Sequence, residues 1–497
     1  MFLLGYDIGT SSIKATLMDA DTQQVIASAT APVKEMEIIA QQAGWAEQHP
    51  QTWWLNVKAA TAQILATARI DTGDIGAIGI TYQMHGLVVI DKNLEPLRPA
   101  IIWCDSRAVQ IGDRAAEAIG RQKCLQQLLN YPGNFTATKL KWVMENEPDI
   151  YRKIHKIMLP GDYIAMMMTG ELLTTTSGLS EAILWDFKNN CMSETVLDYL
   201  QISPDLLCTA VDTFSLQGRL TEKAARQLGL KAGIKVAYRA GDQPNNAFSL
   251  NVLNPGEIAA TAGTSGVVYG IGSKSNYDPE SRVNTFIHVN HTTDDPRYGV
   301  LLCIAGTGIL NSWLKHNVMD AGDDYDRMNK LAEEVPIGSD GLVILPYGNG
   351  AERTLENADI GASIYGVNFN SHTKAHLLRA AQEGIVFAMN YGLRIMRDMG
   401  IDVKTVRAGD ANMFLSPLFA EAFATVTSAA VELYNTDGSQ GAARGAGVGA
   451  GIYKDYAQAF AGLKKIKTIE PDKASESQYK QAYENWFAVL DQNLNNT

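Results

Sequence analysis

One local pattern occurs twice in the chain, half a chain apart. The opening "FLLGYDIGTSSIKATLMDA" runs from an apolar stretch through a Gly-Thr-Ser turn into a second apolar stretch. "EIAATAGTSGVVYGIG", Glu257 to Gly272, does the same, and Thr264 follows Thr10 by 254 residues (264 − 10). A strand, tight turn and strand repeated at that distance predict two similar halves. A length of 497 residues agrees, since it exceeds what a single hydrophobic core usually supports. "YRAGDQPNNAFSLNVLNPGE", rich in Gly, Pro and Asn, marks the junction, which places the domains at 1–247 and 248–497. Within the first half the strands "FLLGYD", "IKATLMDA" and "VIASATAPV" precede an amphipathic helix entered at Pro50, with Trp54, Val57, Ile64 and Leu65 on its buried face. A buried strand "IGAIGIT" then leads to Gln83-Met84-His85-Gly86. Strands and helices keep alternating, which defines an α/β class.

Gly and small hydroxyl residues suit any tight turn, so one such turn says little. Two of them have fewer explanations. An aspartic-protease pair would need a carboxylate in each copy, and the second reads Thr261-Ala262-Gly263-Thr264, without one. Turns rich in backbone N–H and hydroxyl groups suit the two ends of a triphosphate, with Asp7 left to hold a divalent cation. Gly9, Thr10 and Ser11 in the first turn and Gly263, Thr264 and Ser265 in the second are the phosphate candidates. A net charge of −12 argues against a nucleic-acid partner. The chain lacks an uninterrupted apolar run long enough to span a bilayer, and Asp7 interrupts the first one too early for a signal core; the expected location is cytoplasmic. The five cysteines are scattered without metal spacing and read as reduced thiols.

Seven segments, in order, resemble those of the FGGY family of carbohydrate kinases, within the actin-like ATPase superfamily: "DIGTSSIK", "YQMHG", "PAIIWCDSRA", "GNFTATKLKWV", "AGDQPNNA", "TAGTSG" and "LPYGNGAERT". The resemblance implies two similar domains of the actin-like (ribonuclease H-like) fold with a catalytic cleft between them, ATP and Mg²⁺ as cofactors, and a ketose as acceptor. "YQMHG" is similar to the sugar segment of the xylulose-phosphorylating members, which implies D-xylulose phosphorylated on its 5-hydroxyl, and a homodimer is suggested on the same ground. Carried over residue by residue, the resemblance makes Asp242 the catalytic base, with Met84, His85, Asp105 and Asp242 at the sugar. It adds Lys14 to the phosphate segment, makes Asp7 the metal residue, and sets Gly409 and Asn412 at the adenosine site. There the sequence departs from the family's Gly-Gly-Gly-Ala run by inserting the carboxylate of Asp410.

Each assignment has a plainer counterpart. Asp242 in "DQPNN" is also a good helix N-cap followed by a first-turn proline. Arg107 reads as a structural ion-pair partner. The rival functions are a kinase for another ketose or polyol, and an actin- or chaperone-like nucleotide switch. The switch needs no sugar segment, and "QMHG" with Asp105 and Asp242 disfavours it.

Overall fold

The computed structural model describes residues 1–495 and divides into two compact units, each built from several chain segments. The first comprises Met1–Asn251, Phe286–Tyr298 and Thr436–Leu463; the second comprises Val252–Thr285, Gly299–Asn435 and Lys464–Thr497. The chain crosses from one to the other four residues past the boundary read from sequence (251 − 247), but it later returns twice. A cut at 247/248 assigned those returning segments to the second half.

In the first unit the strands lie in the order Lys235–Gly241, Ile75–Tyr82, Phe2–Ile8, Ile13–Asp19, Val25–Ala31. The opening strand is parallel to Ile75–Tyr82, which is parallel to Lys235–Gly241, while on its other side Ile13–Asp19 is antiparallel to it and Val25–Ala31 is antiparallel to Ile13–Asp19. The second unit repeats this plan: Gly266–Gly272 is antiparallel to Ile258–Ala262, which is followed by parallel Thr405–Gly409 and parallel Ala430–Tyr434. An apolar hairpin that supplies two strands, with parallel neighbours added by crossovers, is what each copy of the sequence pattern encodes.

The helix Pro50–Ala68 begins on its proline and buries Trp54, Val57 and Ile64, as the apolar spacing requires. It covers one side of the first sheet, within a core that includes Tyr6, Trp53, Ile80 and Tyr163. Gly438–Gly449 packs on strands Phe2–Ile8, Ile75–Tyr82 and Lys235–Gly241. Its approach is close: a Cβ on Gly5 would lie 1.9 Å from the Ser439 carbonyl oxygen, and one on Gly79 would lie 2.0 Å from that of Ala442. In the second unit the 25-residue helix Lys374–Asp398 runs through the core, where Ile385, Met389 and Leu393 are wholly buried.

Candidate active site

Three adjacent parallel strands of the first unit end together. Asp7 pairs with Thr81 and Gly241 with Tyr82, so Asp7, the Gln83–Gly86 segment and Asp242 all emerge at the carboxyl edge of one sheet. Open parallel sheets bind their ligands at that edge. Asp242 is the first residue of the helix Asp242–Ser249, and Gly241 is the N-cap; sequence placed Asp242 itself at the cap, one position too late. A first-turn carboxylate still gains from the helix dipole.

Carboxylates crowd this edge. Asp7 is pushed up to about 6, first by burial and then by Asp437, with Lys14 acting against both. Asp242 is pushed up to about 7, first by burial and then by the charge of Asp7. Glu181, 1% exposed, is also raised, first by burial and then by Asp242. Behind them Arg239 and Asp162 form a buried ion pair at 3.1 Å. A Cβ on Gly438 would sit 2.5 Å from Asp7 Oδ2, and one on Gly241 would sit 2.5 Å from Glu181 Oε2 and 2.7 Å from Met84 Cγ. Glycine therefore lets the two backbones come this near the acids. Asp437 uses Oδ1 to accept from the Gln440 N–H at 2.9 Å and the Ser439 hydroxyl at 2.8 Å.

His85 takes a left-handed backbone conformation, φ +59°. Its Nδ1 lies 2.8 Å from the Glu181 carbonyl oxygen, and its N–H donates to Glu181 Oε1 at 3.4 Å. A carbonyl only accepts, so Nδ1 carries a proton. The rings of Phe135 and Phe286 flank the imidazole at 4.9 and 5.4 Å. Met84, His85 and Asp242 are thus gathered around Glu181. Asp105 is not presented with them. Its side chain has no exposure, and its oxygens accept from the Ala46 N–H at 2.6 Å, the Arg107 N–H at 2.9 Å and the Arg107 guanidinium at 2.7 Å. The carboxylate anchors Arg107, which stacks on Trp45 at 3.8 Å.

In the first turn the Gly9 N–H donates to the Ser12 carbonyl at 3.2 Å. Thr10 Oγ1 donates to Gln83 Oε1 at 3.1 Å and accepts from the Trp103 indole at 3.0 Å. Ser11 and Lys14 are exposed. In the second unit the Gly263 and Thr264 carbonyls accept from the Gly308 and Ile309 N–H groups at 2.9 and 3.1 Å, which lashes the turn to the N-terminus of helix Gly308–Asn317. A cavity of ≈ 510 Å³ opens there, lined by Gly263, Thr264, Gly308, Tyr325, Asp326 and Asn412 among others. Its size suits a nucleotide. Ser265 and Gly409 are half-buried and do not line it. Asp410 is exposed at the end of strand Thr405–Gly409.

Sequence reasoning missed Glu181, Asp437, Tyr325 and Asp326. "TDG" before the Gly/Ala-rich helix was the only signal for Asp437; the others sit in segments without any pattern of their own.

Two like-built α/β units, one with acids at its strand ends and one with a nucleotide-sized cavity at its Gly-Thr-Ser turn, define the class of two-domain ATP-dependent sugar kinases. Residues 2–249 match the N-terminal domain of the FGGY family of carbohydrate kinases and residues 258–452 match its C-terminal domain; the chain belongs to that family. It is 28% identical to a xylulose kinase of Bacillus subtilis (strain 168) over 97% of this chain and 95% of that one. It is also 28% identical to a xylulose kinase of Staphylococcus epidermidis, over 99% and 96%. The crystal structure of xylulose kinase from Rhodospirillum rubrum superposes with a TM-score of 0.87 at 27% identity, covering 99% of each chain. The protein is a phosphotransferase with a carbohydrate alcohol as acceptor.

Proposed function

We propose that the protein transfers the γ-phosphoryl group of ATP to the 5-hydroxyl of D-xylulose, in the cytoplasm where ATP is supplied. The observation that carries this reading is the convergence of Asp7, Met84–His85 and Asp242 at the ends of three adjacent strands, in a chain whose relatives include xylulose kinases.

Asp242 accepts the proton of the attacking hydroxyl as the oxygen bonds to the γ-phosphorus; the bond from phosphorus to the β,γ-bridging oxygen breaks and ADP leaves. A carboxyl near 7 is well matched to this role, since a base works best with a pKa close to the operating pH. His85 accepts from a sugar hydroxyl through Nε2, and Met84 supplies an apolar wall. The second turn, with the helix N-terminus behind it, receives phosphate. Ser11 and Lys14 face phosphate from the first turn.

Asp7 and Asp437 are like charges close enough to raise the carboxyl of Asp7, and a divalent cation relieves that repulsion. Among the described residues no group of three or more His, Cys, Asp or Glu side chains is arranged as a metal site. Mg²⁺ fits such a site, because it keeps several waters and needs few carboxylates when phosphates complete its shell. When bound it neutralises charge on the phosphates.

The test is ADP release by the purified protein over a panel of ketoses and polyols, with product position read by phosphorus NMR. D-xylulose should give the highest kcat/KM and a 5-phosphate. Release independent of sugar would instead support a nucleotide switch, and a preference for another acceptor would replace D-xylulose in this reading.

A further inference from the structure

We propose that Lys139 is a positioning residue for sugar binding: its ammonium clamps the main-chain carbonyls of His85 and Ile102 and so fixes the two loops that carry His85 and Trp103. The inference rests on the sugar site proposed above. Lys139 stands in the helix Thr136–Asn146 and has no exposure. Its Nζ donates to the His85 carbonyl at 2.9 Å and to the Ile102 carbonyl at 3.1 Å. A lysine without solvent contact is rare unless its charge and donors are matched. Here Asp105 supplies the counter-charge, while burial drives the ammonium down to about 7.

The first carbonyl belongs to a residue that resists its own conformation. A non-glycine residue at φ +59° is held there by its surroundings. The contacts of the His85 ring to Glu181 and the two phenylalanines hold the side chain, and Lys139 holds the main-chain carbonyl. The second carbonyl immediately precedes Trp103-Cys104-Asp105. Trp103, 48% exposed, reaches across to Thr10, and the Asn134 side-chain amide donates to the Asp105 carbonyl. One buried cation therefore ties the "QMHG" and "WCDSR" segments together from beneath, touching neither the acceptor nor the phosphate turns.

The test is Lys139→Met, which keeps the apolar stem and removes every donor. The pentulose KM should rise ~10-fold or more, since two charge-assisted hydrogen bonds are lost, while the ATP KM and the kcat at saturating sugar stay within about twofold. Amide exchange at His85 and Leu87 should accelerate by at least ~10-fold. A parallel rise in both KM values, an unchanged pentulose KM, or unchanged exchange at these amides overturns the proposal. Should Lys139→Met not fold, Lys139→Gln, which retains an NH₂ donor on a shorter stem, should fold with an intermediate pentulose KM; a wild-type KM, or failure of both variants to fold, also overturns it. A wild-type protein inactive on D-xylulose would defeat the proposed substrate only. Lys139 would then be judged by the exchange rates and by the acceptor the wild type does use.

Discussion

Asp242 is the residue at which chemistry and stability pull in opposite directions. Its carboxyl is raised to about 7 in the folded protein, far above an ordinary aspartate, so protonation is favoured by folding. The stability it contributes is present below the unfolded value near 4 and is lost as pH rises through about 7. Asp242→Asn should accordingly melt at or above the wild-type temperature at pH 8, with the difference vanishing in acid. The same substitution removes the base, so kcat should fall by about 10²–10⁴ while nucleotide affinity survives. A variant that melts early yet turns over normally would reduce Asp242 to a helix-end residue. The pH profile follows with the same sign: kcat/KM for the pentulose should climb as pH rises through about 7, because the working form is the deprotonated one. At the sugar, His85→Ala removes an acceptor with a net value of about 0.5–1.5 kcal/mol. The pentulose KM should rise by roughly 2- to 13-fold, and more than the ATP KM.

Among the elements, the helix Gly438–Gly449 packs at very close range. It lies on the sheet backbone, with the Ala442 carbonyl 2.0 Å from where a Gly79 Cβ would be. Gly79→Val should therefore destabilise by at least the ~1–3 kcal/mol typical of overpacking, read as a lower urea midpoint. At the start of the same helix the outcome differs. A Cβ on Gly438 meets Asp7 Oδ2 at 2.5 Å, the end of a side chain that is able to shift. Alanine also favours a helix over glycine, so Gly438→Ala should leave the melting temperature nearly unchanged and lower kcat by displacing Asp7. An equal loss of stability and rate would show that the contact is structural.

At the scale of the whole molecule, the chain's two returns to the first unit decide what folds alone. A fragment ending at Asn251 contains the complete five-stranded sheet and the helix Pro50–Ala68 on one face but lacks the helix that covers the other, since Gly438–Gly449 arrives from Thr436–Leu463. That fragment should bind ANS and lack a cooperative melt, whereas adding the missing helix as a peptide should restore one. A sharp transition in the fragment alone would mean that the exposed face is tolerated. Ligands should likewise be felt unit by unit. A non-hydrolysable ATP analogue should slow exchange at Gly263, Thr264, Gly308 and Ile309 in the second unit, and pentulose should slow it at 83–86 in the first.

Local order was legible in the sequence. Alternating apolar runs broken by Gly-Thr-Ser place both hairpins, and Pro50 with its apolar spacing gives the first long helix, because these features depend on residues a few positions apart. Asp7, Met84, His85 and Asp242 stand in short motifs for the same reason. Tertiary structure alone decided what depends on distant approach. The helix at 438 belongs to a sheet that begins at residue 2, and this follows from glycine-mediated packing of backbones more than 350 residues apart. The partners of Asp105 were hidden because only the fold brings Ala46 to its carboxylate and buries its ion pair with Arg107. Glu181 was missed because a glutamate in a plain stretch acquires meaning only when His85 and Gly241 close around it. Lys139 stood in a motif already, yet its task appears only when two loop carbonyls, 54 and 37 residues away in sequence, meet its ammonium.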